Sequence, residues 1–232
     1  MEKAEFDKFA EEYDAMHRAN IRVSGEGPEY FARYKIEDMV KVWRARHGVR
    51  DVETILDFGG GIGASAPHLS ELFPKAQITL ADVSEKSLDL AASREIARVN
   101  TMLFDGATLP LEDNSQDAAI AACVFHHIPE DQHVSLMAEI HRVMKPGGLF
   151  FIFEHNPWNP LTRRAVDTCP FDENAVLIKG PELRRRLHKG GFEKVDLAWR
   201  IFIPGAARAL RPLEAYLEWL PLGAQYRTTA IK

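Results

Sequence analysis

The stretch from Thr54 to Gly63, T-I-L-D-F-G-G-G-I-G, constrains this chain more than any other. Thr54 to Phe58 is short, apolar and β-branched at its start, the pattern of a strand buried in a parallel sheet. Glycines follow where the backbone must turn tightly against a ligand. Ala64 to Phe73 then places Leu69, Leu72 and Phe73 on one helical face before Pro74 stops the helix. Strand, glycine turn and helix form a half-unit in which bare backbone lets an adenosine-bearing ligand approach the edge of a sheet. The glycines alone fit two patterns. Gly59, Gly61 and Gly63 read as G-x-G-x-G, and Gly59, Gly61 and Ala64 read as G-x-G-x-x-A.

Asp57 helps to choose between them. A carboxylate at the mouth of the turn repels a pyrophosphate but suits a ligand that carries an ammonium and a cationic sulfur. D-F-G-G-G-I-G resembles the first motif of the class I S-adenosylmethionine-dependent methyltransferases, and later residues extend the resemblance over most of the chain. Members of that family often carry Cys where Gly60 stands. A β-branched side chain is expected to disturb cofactor binding more at Gly61 than Ala would at Gly60, because tight or positive-φ backbone excludes it. A glycine turn with no cofactor is the alternative.

The bulk numbers set the frame. With 232 residues, 46% of them hydrophobic, the chain can bury the core of one α/β domain, read here as a single unit over 1–232. Within it, 1–50 is a helical cap, 51–154 the cofactor-binding core, and 155–232 the acceptor-side loops and the end of the sheet. A net charge of −5 gives no electrostatic grip on nucleic acid, so a small-molecule partner is favoured. The start lacks the basic-then-apolar order of a signal peptide, and no stretch is long and apolar enough to insert stably in a bilayer. Only Cys123 and Cys169 are present, so no disulfide framework is implied and a reducing cytoplasm is expected.

Two amphipathic helices are expected before the first strand, one on Phe6, Phe9, Ala10 and Tyr13, the other opening at Pro28 and carrying Tyr30, Phe31, Tyr34, Met39, Val42 and Trp43. In the family such helices cover the cofactor, which makes Tyr13, Tyr30 and Tyr34 candidate lining residues; ordinary packing is the other reading. Ile78 to Asp82 reads as the second strand. Its terminal carboxylate stands at the spacing expected of a ribose ligand, and Ser84 is placed to cap the helix running to Arg94. The resemblance implies that Asp82 holds the ribose, that Val83 packs on the adenine, and that Asp105, with Gly106 and Ala107 after a third strand over 100–104, meets the adenine amino group. A simple Asp-Gly turn is the alternative there. With Asp57, Gly59, Gly61, Gly63 and Cys123, these residues make up the expected cofactor set for S-adenosyl-L-methionine.

Ala118 to Cys123 is a fourth strand of small residues, over which a ligand can lie close to the backbone. Val124-Phe125-His126-His127-Ile128-Pro129 follows at its carboxyl end. Titratable groups at that edge of an open α/β sheet are active-site candidates. Adjacent histidines on an extended strand point to opposite sides, so at least one is expected to be structural. Without a companion cluster at ligand spacing, no metal is expected. Gln132 to Met144 reads as a helix ended by Lys145-Pro146-Gly147-Gly148, a further family mark, and Leu149 to Phe153 as a fifth strand. Glu154 and His155 leave it beside the histidines, so His126, His155, Glu154 and His127 are the catalytic candidates, with His126 and His155 ahead of His127.

Pro157, Pro160 and Pro170 argue for an irregular lid or acceptor loop. Asn156-Pro157-Trp158 can be mistaken for the Asn-Pro-Pro-Tyr-like box of amino-group methyltransferases, but it follows the fifth strand rather than the fourth. Pro181 to Lys189 is a helix on which Arg184, Arg185 and Arg186 form a solvated face. Phe192 to Trp199 is a sixth strand. Leu210, Leu213, Leu217 and Leu220 mark an apolar helical insertion, interrupted by Pro212, that is a candidate for closing the acceptor site, for a homodimer contact or for touching lipid. Gln225 to Ile231 is the last strand.

The chain is therefore expected to be α/β: a Rossmann-like, doubly wound, seven-stranded sheet with its last strand antiparallel, an N-terminal helical cap and a helical insertion before the last strand. The resemblance implies S-adenosylmethionine-dependent methyl transfer to a small-molecule acceptor. E-H-N-P-W-N-P-L-T-R-R and T-C-P-F-D-E-N-A-V-L further resemble bacterial methyltransferases of natural-product, glycan or envelope-lipid pathways. Two rivals stand beside it. A nicotinamide-dependent oxidoreductase would use the same glycines, but Asp57 and the lack of an evident Tyr-x-x-x-Lys pair weigh against it. A non-catalytic adenosine-cofactor-binding scaffold would keep the same core.

Overall fold

A computed structural model describes residues 25–232, so the expected helix on Phe6, Phe9, Ala10 and Tyr13 lies outside the described residues. Seven strands form one sheet in the order β3-β2-β1-β4-β5-β7-β6. They are β1 (Thr54–Phe58), β2 (Gln77–Asp82), β3 (Val99–Leu103), β4 (Gln116–Ala122), β5 (Met144–His155), β6 (Lys194–Arg200) and β7 (Gln225–Ile231). The pairings from β3 through β5 are parallel, and β7 runs antiparallel between β5 and β6. The chain builds outward from β1 to β3 and then crosses back to lay β4 on the other flank of β1. The loops leaving β1 and β4 therefore diverge and open a crevice at the carboxyl edge.

Period-two alternation divides the core between the faces of the sheet. Ile55, Ile120, Phe151 and Phe153 pack on α1 (Pro28–His47) and α2 (Ala66–Leu72), through Ile36, Met39 and Trp43 of the first and Leu69 of the second. Leu56, Phe58, Phe150 and Ile152 pack on the other side against α4 (His133–Val143) and α6 (Gly180–Lys189). Between β2 and β3, α3 (Glu85–Ala92) sets Leu88 and Ala91 on Leu80. Ser84 caps α3 as expected, its side chain accepting the Ser87 N–H.

Four sequence expectations are corrected. Lys145-Pro146-Gly147-Gly148 does not separate a helix from a strand starting at Leu149: β5 begins at Met144, and the glycines ride in a register shift against β4 between Gln116 and Ala118. The prolines after β5 do not exclude regular structure. Asn159 caps α5 (Pro160–Asp167), with Pro160 at its first position, where a missing N–H costs nothing. Arg186 is not part of a solvated face: it is buried, donating to Glu130, Glu182 and His133 Nδ1, while Arg184 and Arg185 are exposed. The 201–222 connection is a helical insertion as expected, but Pro212 does not interrupt it; the kink falls at Ala207. A kinked 3-10 segment, Gly205–Tyr216, carries that proline internally and leaves Leu210, Leu213 and Tyr216 exposed, with Trp219 and Leu222 beyond it.

A buried charge group clips α1 to the antiparallel end of the sheet. Asp38 accepts from Arg200 at 2.9 Å and from Arg227 of β7. Removing the carboxylate would leave the buried Arg227 guanidinium without its partner beside Arg200, which keeps Glu218. Asp38→Ala should therefore cost about 3–5 kcal/mol, as expected for a buried ion pair that loses one partner. Urea unfolding of variant and wild type, with a fall in midpoint and an unchanged slope, checks this.

Candidate active site

The glycine turn leaves β1 with Gly59, Gly61 and Gly63 all at positive φ, and Gly59 and Gly60 both donate to the Ala81 carbonyl of β2. Their surroundings differ. A Cβ at Gly59 would overlap Val124, and one at Gly60 would stand 2.5 Å from Leu80 Cγ and 3.0 Å from the Asp57 carboxylate. Gly60 is thus no more tolerant than its neighbours, because Leu80 fills the room that a Cys would need there. A Cβ at Gly61 would meet nothing within 4 Å, so its backbone faces open space at the crevice.

Asp57 and Asp82 flank that space. Asp82 is the sequence-expected ribose ligand, and in the fold its carboxylate also ties the turn together: Oδ2 accepts the Gly61 N–H at 2.8 Å and Oδ1 the Ser84 N–H at 2.9 Å. A carboxylate oxygen can accept more than one hydrogen bond, so bracing the turn and binding a hydroxyl are compatible roles. Asp57 is 1% exposed, and its Oδ2 is buried with no hydrogen-bond partner. Burial, and then the nearby Asp82 charge, push its carboxyl up to about 7, against the pull of Lys35.

After β2 and β3 lies a cleft of about 790 Å³ lined by Val83, Asp105, Gly106 and Ala107, and by Gln132, Ser135 and Leu136 from the start of α4 and the turn before it. Those three carry no signature that a sequence search would catch. Asp105 is exposed and makes the turn of the alternative reading, one oxygen accepting from Ala107 and Thr108, whose N–H groups hold its carboxyl below the usual range. It also lines the cleft, so the turn and the lining role coincide.

The other flank of the crevice is built from the ends of β4 and β5. The structure corrects the argument about the two histidines, because Phe125–His127 is a 3-10 turn and not extended strand, so both imidazoles reach one place, with ring centres 4.1 Å apart. Glu154, fully buried on β5, accepts the Phe125 N–H at 2.8 Å and meets His126 Nδ1 at 2.5 Å. Asp172, absent from the candidates drawn from sequence, completes the group: its Oδ1 lies 3.7 Å from His126 Nε2 and 3.4 Å from His127 Nε2. It reaches them because the Val176 N–H bonds the His126 carbonyl and ties the return segment to the turn. The only sequence signal was its place in T-C-P-F-D-E-N, a stretch noted for resemblance and not for chemistry.

His155 pairs instead with Cys123, which sits at positive φ and also receives Lys35 Nζ and Gln225 Nε2, each at 3.8 Å. Burial raises the Cys123 thiol, but Lys35 and His155 outweigh it and bring it down to about 7. Burial lowers His126 and His155, and their anionic partners more than restore both above the ordinary imidazole value. His127 goes the other way, to about 3, through burial and the adjacent His126 charge. The expected order, His126 and His155 before His127, therefore meets two imidazoles held above the ordinary value and one held below it.

Other candidates are structural. Asn156 donates to the Pro221 and Gly223 carbonyls and braces the chain below β7. Tyr34 hydroxyl donates to Gln225 and its ring meets Phe153 edge-on, and Tyr30 lies under the Arg211 guanidinium at 4.3 Å.

Comparison with known proteins bears on the whole arrangement. Residues 56–152 match the methyltransferase domain family. The ubiquinone/menaquinone biosynthesis C-methyltransferase UbiE of Pseudomonas putida strain GB-1 is 31% identical over 174 residues, covering 72% of this chain and 62% of that protein. Its counterpart in Hahella chejuensis is 26% identical over 72% of this chain and 64% of its own length. The chain thus spans less than two thirds of these relatives. Among solved structures, an S-adenosylmethionine-dependent methyltransferase from Thermotoga maritima superposes over 99% of both chains with a TM-score of 0.68 at 20% identity. Phosphoethanolamine N-methyltransferase 2 of Haemonchus contortus, crystallised with S-adenosyl-L-methionine, covers 84% of this chain and 52% of its own at a TM-score of 0.60 and 18% identity. These structures share the fold.

The raised Asp57 carboxyl gives a stability test with a defined sign. The folded protein holds that proton up to about 7 while the unfolded chain releases it near 3.8, so the folded state binds more protons between these values and loses stability as pH rises through them. Asp57→Asn removes this dependence. Melting curves from about pH 4.5 to 7.5 should show the variant gaining on the wild type as pH rises; parallel curves would reject the assignment.

Proposed function

We propose that this chain, which belongs to the S-adenosylmethionine-dependent methyltransferases, moves the methyl group of that cofactor to a small-molecule acceptor at the carboxyl edge of β4 and β5. The observation that carries the reading is the buried, unpartnered Asp57 Oδ2 beside glycine backbone that faces open space. A buried acceptor of this kind is costly unless a donor arrives, and the cofactor's ammonium is such a donor. Asp82 would take the ribose hydroxyls on its remaining lone pairs, and Val83 with Asp105, Gly106 and Ala107 would enclose the adenine in the cleft.

S-adenosylmethionine supplies a methyl group on an electrophilic sulfonium. The protein's part is to align an acceptor with it in a place that excludes water. Val124 packs beneath Gly59, so the turn bearing His126 and His127 begins one residue from the cradle wall, and Cys123 closes the strand between them. Glu154, His126, His127, Asp172 and His155 then face the acceptor as pre-set dipoles and charges. The UbiE relatives are named for C-methylation in quinone biosynthesis. The exposed apolar residues of 205–222 suit a sparingly soluble acceptor of that general kind.

The test is a screen of metabolite extracts with methyl-labelled S-adenosylmethionine, together with calorimetry of S-adenosylhomocysteine. Label should pass to a small molecule. Asp82→Ala should weaken cofactor binding by about 1.5–3 kcal/mol, the range for hydrogen bonds to a charged group. Unchanged affinity in a folded variant would remove Asp82 from the ribose site.

A further inference from the structure

We propose that His126, His127 and Asp172 bind a divalent first-row transition cation at the acceptor edge of the sheet. Three potential ligand atoms, one from each residue, lie within 4.8 Å of one another in largely buried surroundings. Two imidazoles and one carboxylate are the donor set that suits zinc, iron or manganese, with positions left over for an exchangeable ligand.

The orientation of His126 carries the argument. Its Nδ1 is held 2.5 Å from Glu154 Oε2, where the ring N–H is donated to the carboxylate, the usual second contact of a metal-bound imidazole. Nε2 faces Asp172 Oδ1 and would release its proton to offer that nitrogen's lone pair to a cation. His126 Nε2 stands 3.7 Å and His127 Nε2 3.4 Å from the same Asp172 oxygen, both longer than the usual hydrogen-bond distance. A cation with bonds of ~2.1 Å at tetrahedral angles sets its ligand atoms about 3.4 Å apart, which both gaps approach.

Glu154 and Asp172 are two buried carboxylates, and the imidazoles of His126, His155 and His127 surround Asp172. The group is also held in place before any ion arrives. Glu154 is anchored by the Phe125 N–H, and the segment bearing Asp172 by the Val176 N–H on the His126 carbonyl. The His127 side chain is 12% exposed, against 1% for His126, so the open positions of the cation face the crevice on its side. There the cation would polarise an acceptor oxygen and ease loss of its proton to water. That role rests on the methyl-transfer reading; binding of the cation does not.

The experiment titrates the full chain, stripped by chelator, with Zn²⁺ and separately with Co²⁺, followed by calorimetry and by the visible spectrum of cobalt. One equivalent per chain should bind, with the spectrum of a low-symmetry nitrogen and oxygen site. Asp172→Asn and His127→Gln should each weaken binding by at least a hundredfold, and Glu154→Gln by about 10–100-fold through the His126 ring. His47→Gln, at the far end of α1, should bind as the wild type does. S-adenosylhomocysteine titration of each variant verifies folding and separates the two ideas: a chain that binds cation and not cofactor keeps this site and loses the methyl-transfer reading. Failure of the wild type to bind one equivalent, or full affinity in both Asp172→Asn and His127→Gln, overturns the proposal.

Discussion

A carboxylate buried without solvent stays charged only if other groups claim its lone pairs, and Glu154 shows how much structure that requirement can organise. One oxygen takes the backbone N–H of Phe125 and the other takes His126, so a residue on β5 dictates the course of the chain as it leaves β4. The turn it enforces sends both histidines the same way, and the Val176 N–H on the His126 carbonyl draws Asp172 in from a third segment. Without the carboxylate the 3-10 turn would lose its fixed point and the cluster its geometry.

The two halves of the crevice meet the cost of buried charge differently. On the β1–β2 side, backbone N–H groups serve Asp82 and leave Asp57 short of a donor, so the deficit is local and shaped like an ammonium. On the β4–β5 side the anions Glu154 and Asp172 are served by imidazoles, and Cys123 by Lys35, Gln225 and His155. One side of the crevice thus carries a vacancy in hydrogen bonding and the other a preset field.

Legibility in the sequence follows range along the chain. The strand, turn and helix around Gly59, the Asp82 terminus, the Ser84 cap and the limits of β1 and β7 all depend on neighbours within a few residues, and each is where the pattern placed it. The antiparallel last strand came from family resemblance and not from any local pattern. What failed was non-local or depended on a single backbone choice. Asp172 joins residues more than forty positions away; Arg186 looks solvated until Glu130 and His133 are folded onto it. His126 and His127 were judged on a period-two strand, and one 3-10 turn reversed the inference. The prolines after β5 were read as breakers when one of them opens a helix.

The position of β7 has a consequence for how the chain assembles. It pairs with β5 on one side and β6 on the other, although it is the last strand in sequence. Until β7 docks, β6 has no strand to join, and the β5 edge stays unpaired beside Glu154 and His155. Strands β1 to β5 can collapse in the order they are made, whereas the acceptor edge closes only when the C-terminal strand threads into the gap. A folding intermediate with the nucleotide half complete and the other half open would be competent to hold a cofactor before it could use one.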